Sequence, residues 1–176
     1  MARLKRLDVG DGTQTANELL GNLKAGGMFL NIFRGMANSA AVLDGYLKFS
    51  GALNQTRLDG KAREAVALAV GQANKCEYCV SAHTMLGQKA GLSQQDTVDA
   101  RHGKATDKKL AGVIALARQI NEKRGAISDA ELQAARDAGL NDGEIAEVVA
   151  LVALNVFTNY FNNVNQTDVD VPKVAL

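Results

Sequence analysis

The sequence has no tryptophan, and aromatic residues fill only 5% of its 176 positions. Sandwiches and barrels draw on aromatic and β-branched side chains, so a large β architecture is disfavoured. Proline is nearly missing too: the only one is Pro172. Before it nothing removes a backbone donor or forces a helix to stop, so an alanine-rich chain is free to be helical between its loops. Charge of one sign is absent. Twenty basic residues face 19 acidic ones, a formal net charge of +1, and that balance excludes the electrostatic footprint of a nucleic-acid or anionic-membrane binder. The longest apolar run, Val148 to Leu154, is too short to span a bilayer. The first residues carry charge without an apolar h-region, so no secretory signal is predicted. The expectation is a soluble, cytoplasmic protein. Cysteine is scarce, but the two present, Cys76 and Cys79, stand three positions apart. In a reducing compartment such a pair points to catalysis or metal binding rather than to a structural staple.

What the chain does have is helical periodicity. It predicts one all-α domain over residues 1–176, a helical bundle of about seven to eight helices. A short helix is expected over Thr15 to Lys24, before Gly26-Gly27. A helix or helix pair is expected from Phe29 to about Asn54, interrupted near Asn38, with Phe29, Ile32, Phe33 and Met36 at helical spacing. Asp59 reads as the N-cap of a helix over Gly60 to Ala73. Asn74 reads as the N-cap of the next, which runs to Ala90 with Gly91 at its end. Ser93 opens a short helix, Asp107 one to about Lys123, Ser128-Asp-Ala-Glu131 a capping-box helix to Ala138, and Asn141 a last helix to about Phe161. That last helix is apolar nearly all round between Val148 and Phe157, so it belongs in the core or at a subunit interface. After Asn165 no pattern is visible. One internal similarity stands out: Asp59 to Leu68 lines up with Asp142 to Leu151, an offset that carries Cys76 onto Asn159 and Cys79 onto Asn162. A duplicated helical unit and coincidence in a low-diversity composition both account for it.

The chemistry concentrates between Arg63 and His83. Positions 76, 79 and 83 fall within about 60° of one another on a helix, so their side chains share a face. Cβ atoms three apart lie roughly 5–6 Å from each other, which allows a disulfide after modest adjustment. With Asn74 as N-cap and Glu77 at the third helical position, both cysteines occupy the first turn, where unpaired N–H groups and the helix dipole favour thiolate. His83, one turn beyond Cys79, is placed to take or return its proton. Glu64 stands ten residues before Asn74 and His83 nine after it. In an antiparallel hairpin both lie about 14–15 Å from the turn and come level, so that Glu64 fixes the His83 tautomer. A rival reading gives Cys76, Cys79, His83 and Glu64 to zinc; against it, no second Cys or His pair exists to complete a usual structural site.

The spacing Glu64-x11-Cys76-x2-Cys79-x3-His83 resembles the motif of the alkylhydroperoxidase D-like branch of the carboxymuconolactone decarboxylase family. Asn31-Ile-Phe-Arg-Gly-Met-Ala-Asn38, Ser81-Ala-His-Thr84, Ala90-Gly-Leu92 and Thr158-Asn-Tyr-Phe-Asn162 are similar to its peroxidase-related subgroup, and the likeness spans about residues 28–172. The resemblance implies an all-α, alkylhydroperoxidase D-like fold assembled into homo-oligomers, trimers or hexamers. It implies a relay in which Glu64 supports His83, His83 activates Cys79, and Cys76 closes the disulfide. Well-known members carry a histidine just before the second cysteine; here Tyr78 stands there. A phenol is a poor base at neutral pH, so Tyr78 is an accessory residue that hydrogen-bonds or packs.

The expected activity is that of a thiol-dependent peroxidase reducing alkyl or hydrogen peroxide. No cofactor and no metal is called for. Its partners are a peroxide substrate, an external dithiol or protein reductant (a peroxiredoxin is one candidate) and copies of itself, with no nucleic acid and no membrane. The alternatives are a disulfide reductase serving a peroxiredoxin, a carboxymuconolactone-type decarboxylase, against which the cysteine pair argues, and a zinc-stabilised non-catalytic module. His102 reads as a solvated helix-end residue, Phe29, Phe33 and Met36 as core or interface, and Lys108-Lys109 and Glu122-Lys123-Arg124 as solvated faces.

Overall fold

The computed structural model describes residues 2–176. Among them are nine α-helices and no strand: α1 Gln14–Ala25, α2 Asn31–Met36, α3 Ala40–Leu53, α4 Gly60–Ala73, α5 Glu77–Lys89, α6 Gln94–Arg101, α7 Lys108–Lys123, α8 Asp129–Asp137 and α9 Asp142–Asn165. The all-α expectation holds, and the count exceeds the seven to eight expected. The extra element comes from residues 31–53, where the chain turns at Ala37–Ser39 and starts a second helix with Ser39 as its N-cap.

Helix starts follow the local signals. Asp59 and Asp107 accept the backbone N–H groups of Ala62 and Leu110. Ser93/Asp96, Ser128/Glu131 and Asn141/Glu144 each form a reciprocal capping box that satisfies two otherwise orphaned donors. Gly91, in the left-handed region at φ +99°, follows the end of α5.

The architecture is organised around α4. Its Ala65–Gly71 stretch is wholly buried, and Val66, Leu68 and Val70 are completely covered. Alanine and glycine keep this helix thin, so α5, α6, α7 and α9 all approach it closely. Fully burying one such aliphatic side chain is worth about 1.5–3 kcal/mol. On one side α4 packs with α7 and α9 through Val113, Leu116, Val148 and Leu151. A separate cluster joins α1, α2 and the start of α5 through Leu20, Ile32, Phe33, Met36, Cys76 and Cys79. The Phe33 and Met36 stripe is therefore core, as expected.

By length and composition alone α9, with 24 residues, could cross a bilayer. In the fold, Val148, Leu151 and Val152 of α9 line the core, while Val149, Phe157, Tyr160 and Val164 face outward. Only part of the all-round apolar surface expected of this helix is thus covered within one chain. His102 is exposed at the end of α6, as expected. Lys109 is exposed, as expected, and its ammonium also donates to the buried carboxylate of Glu144 at 2.6 Å.

Candidate active site

The site starts where α4 ends. Asn74 does not cap α5, as the sequence suggested; it is the C-cap of α4. Lys75 takes the left-handed conformation at φ +53°. The Lys75 N–H then reaches the carbonyl of Gln72 (3.1 Å) and the Cys76 N–H that of Gly71 (2.9 Å). This is the double bond pattern of a Schellman ending, built here on lysine instead of glycine. The turn is so tight that Cys76 becomes the N-cap of α5. Its Sγ accepts the backbone N–H of Cys79 at 3.2 Å, so a sulfur does the work usually given to a Ser or Asp oxygen. Glu77 is consequently the first helical residue and Cys79 the third.

Cys76 and Cys79 form a disulfide. Both are almost fully buried, at 0% and 2% exposure. Above them lie Ile32, Phe33 and Met36 of α2 together with Val169 and Val171 of the C-terminal tail. The start of α5 supplies a positive helix end at the sulfurs. A second donor comes from far along the chain: Asn162 Nδ2 of α9 lies 3.3 Å from Cys79 Sγ. Asn162 is the residue that the internal similarity aligns with Cys79, and the two counterparts touch. Their helices are locked by an asparagine network. Asn74 Nδ2 donates to Asn159 Oδ1 (2.9 Å) and Asn121 Oδ1 (3.1 Å), and Asn163 Nδ2 donates to the Asn74 carbonyl (2.9 Å).

One helical turn past Cys79, His83 Nδ1 meets Glu64 Oε2 at 2.7 Å. The antiparallel α4–α5 hairpin brings the two level, as the rise-per-residue arithmetic predicts. Glu64 thereby engages one ring nitrogen, Nδ1, and leaves Nε2 for another partner. The pair is partly buried beside a cavity of about 90 Å³ lined by Tyr46, Ser50, Arg63, Asn155 and Thr158.

Tyr78 bonds instead of merely packing: its hydroxyl donates to Asp170 Oδ1 at 2.8 Å. Burial is the largest cause, and the Asp170 carboxylate the next, that hold its phenol well above the ordinary value. It therefore stays protonated at neutral pH, a weaker acid than a free tyrosine. Asp170 Oδ2 also accepts the Asn31 N–H at 2.7 Å, so one carboxylate ties Tyr78 to the start of α2. The rest of the tail follows α5. Val174 N–H donates to Ser81 Oγ (3.0 Å), Lys173 pairs with Glu77 (3.1 Å), and Arg101 donates to the Ala175 carbonyl (2.6 Å). None of this tail ordering was visible in the sequence. Between the start of α5, the end of α9 and the tail lies an open groove of about 510 Å³, with Lys75, Glu77, Tyr78, Asn162 and Lys173 among its lining. Among the described residues no group of three or more His, Cys, Asp or Glu side chains is arranged to hold a metal ion.

Residues 40–122 match the model of the carboxymuconolactone decarboxylase family. The stretch contains both cysteines, Glu64 and His83, and it bears out the resemblance seen in the sequence. Similar solved structures include an alkylhydroperoxidase AhpD core, an uncharacterized peroxidase-related protein from Ralstonia eutropha JMP134, at TM-score 0.83 and 19% identity over 98% of each chain. An uncharacterized peroxidase-related protein from Silicibacter sp. TM1040 is similar at TM-score 0.80 and 19% identity, over 96% of this chain and 94% of that one. The debrominase Bmp8 in complex with 2,3,4-tribromopyrrole has TM-score 0.79 at 13% identity, over 97% of this chain and 92% of that one. These likenesses establish a common fold. Comparison with curated proteins found no match.

Proposed function

We propose, for a chain whose residues 40–122 match the carboxymuconolactone decarboxylase family model, that it is a thiol-dependent oxidoreductase reducing alkyl or hydrogen peroxide through Cys79 and Cys76. The observation that carries this reading is the Cys76–Cys79 disulfide at the positive end of α5. A helix start favours the thiolate that performs such chemistry. The Glu64–His83 pair on the same hairpin supports a route for the proton.

In the first step Cys79 loses its proton to His83 and attacks the terminal oxygen of a hydroperoxide. The O–O bond breaks, the alkoxide takes a proton and leaves as alcohol, and Cys79 becomes a sulfenic acid. Cys76 then attacks the Cys79 sulfur, water departs, and the disulfide forms. An external dithiol restores both thiols by exchange. The debrominase likeness is one of fold; the peroxide assignment is supported by the cysteine pair alone.

Peroxide consumption with dithiothreitol as reductant tests the reading, comparing the wild-type chain with Cys79→Ser. Wild type is expected to turn over and Cys79→Ser to be inert. A wild-type chain that consumes neither cumene hydroperoxide nor hydrogen peroxide would refute it. Rapid electron transfer to an oxidised peroxiredoxin instead would make the protein a disulfide reductase using the same pair.

A further inference from the structure

We infer that Asn162 is a catalytic residue acting on the Cys79 sulfur, its amide N–H holding the thiolate and its amide oxygen holding the incoming peroxide. The assignment rests on the redox reading of Cys76 and Cys79. Three observations carry it. Asn162 Nδ2 is 3.3 Å from Cys79 Sγ, and a disulfide sulfur has no proton, so the NH₂ end of the amide is the one that fits there. Asn162 is 3% exposed, and its Oδ1 is buried with no hydrogen-bond partner among the described residues. Asn162 also lines the groove between α5, α9 and the tail, so it lies between the sulfur and the space from which a small substrate arrives.

A buried carbonyl oxygen without a donor costs stability, and native proteins rarely leave one so. A hydroperoxide supplies the missing donor, because its terminal oxygen carries the O–H. With Asn162 Oδ1 accepting that O–H and Nδ2 donating to sulfur, one planar group sets the terminal oxygen beside the thiolate. The thiolate attacks that oxygen, an S–O bond forms, and the O–O bond breaks. Sulfur is oxidised by two electrons and the peroxide reduced by two. The departing alkoxide takes the proton that Cys79 gave to His83, and the new sulfenic O–H stays on Asn162 Oδ1. The amide neither gains nor loses a proton. Its position does not depend on the cysteines, since neighbouring Asn159 and Asn163 are bonded to Asn74 at 2.9 Å each.

The test uses the full chain carrying Cys76→Ser, so that Cys79 is the only thiol. Ultraviolet thiolate absorbance is followed against pH, and sulfenic acid formation is timed with cumene hydroperoxide in a single turnover. Asn162→Ala is expected to move the Cys79 midpoint upward by about one pH unit, a tenfold loss of thiolate below it. Sulfenic acid formation should fall by roughly a further tenfold after correction for thiolate. Asn162→Asp keeps the shape but puts a negative charge at the sulfur, and should shift the midpoint more than Asn162→Ala; it stands in where the alanine variant fails to fold. Asn162→Ser, which retains a donor, should recover part of the midpoint shift. An unmoved midpoint and an unchanged corrected rate in a folded variant would overturn the assignment. In a chain that still consumes peroxide, that result leaves the redox reading intact. If the double-cysteine chain is inert to peroxides and disulfides, the redox reading fails whatever the titration gives.

Discussion

The disulfide is buried, so a reductant reaches it only after something opens, and the C-terminal tail, whose Val169 and Val171 pack against the cysteines' cluster, is one element that can lift. Its clasps are individually identifiable: Tyr78 to Asp170 at 2.8 Å, and Ser81 to Val174 at 3.0 Å. Tyr78→Phe removes the first without leaving a polar orphan on α5. Asp170 is exposed and regains water on its freed oxygen, so the loss is that of an ordinary hydrogen bond, about 0.5–1.5 kcal/mol, rather than the larger figure for a buried charge. If reduction proceeds through tail opening, that difference enters the opening equilibrium directly. At 1.4 kcal/mol per factor of ten, the rate of disulfide reduction by dithiothreitol should rise roughly 2- to 12-fold. Ser81→Ala should have an effect of similar size. Because the tail lifts as one piece, the double variant should show about the product of the two factors. The assay is thiol appearance against time at fixed dithiothreitol, with circular dichroism to show that the helices persist. Unchanged reduction rates in both single variants would refute tail opening and leave movement of α2 as the route.

Three further outcomes are expected. Glu64→Gln and His83→Asn should each slow Cys79 alkylation near neutral pH in a Cys76→Ser background, by about 10²-fold where the proton route dominates. The double variant should be little worse than the worse single one, and additive losses would separate the pair into independent groups. Light scattering should give a mass several times 18.6 kDa, because Val149, Phe157, Tyr160 and Val164 leave an apolar face of α9 uncovered; a monomeric mass at micromolar concentration would contradict this. The Lys109 ion pair, and next the Asn141 N–H, hold the Glu144 carboxyl below its ordinary value against the cost of burial. Its stabilising contribution is therefore complete above the unfolded carboxylate value of about 4.3 and lost as pH falls through the lower folded value. Glu144→Gln can keep the Asn141 N–H bond but turns an NH₂ toward Lys109, so it should cost about 1 kcal/mol near pH 7, and that deficit should narrow in acid, below the folded value, in urea unfolding. An equal deficit at both pH values would show the charge to be irrelevant.

Much of this fold was legible because its signals are local. Asp59, Ser93, Asp107, Ser128 and Asn141 cap helices with their own side chains, and a cap needs only the next three residues to be recognised. The Glu64–His83 contact was legible for a similar reason: two helices joined by a short turn bring residues equidistant from that turn level. Asn74 was misread because the residue after it is lysine. A glycine at position 75 would have announced a helix end, whereas Lys75 is held in the left-handed region by two hydrogen bonds, its own N–H to the Gln72 carbonyl and the Cys76 N–H to that of Gly71. α9 runs past Phe161 to Asn165 because Asn159, Asn162, Asn163 and Asn165, poor helix formers in isolation, each find a partner. For Asn159, Asn162 and Asn163 those partners lie 83 to 89 residues away, and Asn165 also accepts the Leu4 N–H from 161 residues away, beyond the reach of any periodicity. The tail carried no pattern for the same reason: its conformation is set by Tyr78, Ser81 and Arg101, not by its own residues.

The two sulfurs differ in what holds them, and the difference decides which can be tuned. Burial works against thiolate on either cysteine, since it withdraws water from the charged form. What opposes it is a donor to each sulfur. For Cys76 that donor is the Cys79 backbone N–H, part of α5 itself, so it persists for as long as the helix does. A thiolate accepts more strongly than a disulfide sulfur, so reduction tightens this cap and favours the reduced pair, which makes the disulfide the more oxidising. For Cys79 the side-chain donor is Asn162, delivered by a different helix and fixed through Asn159 and Asn163. Changes along α9 should therefore alter Cys79 while leaving Cys76 capped.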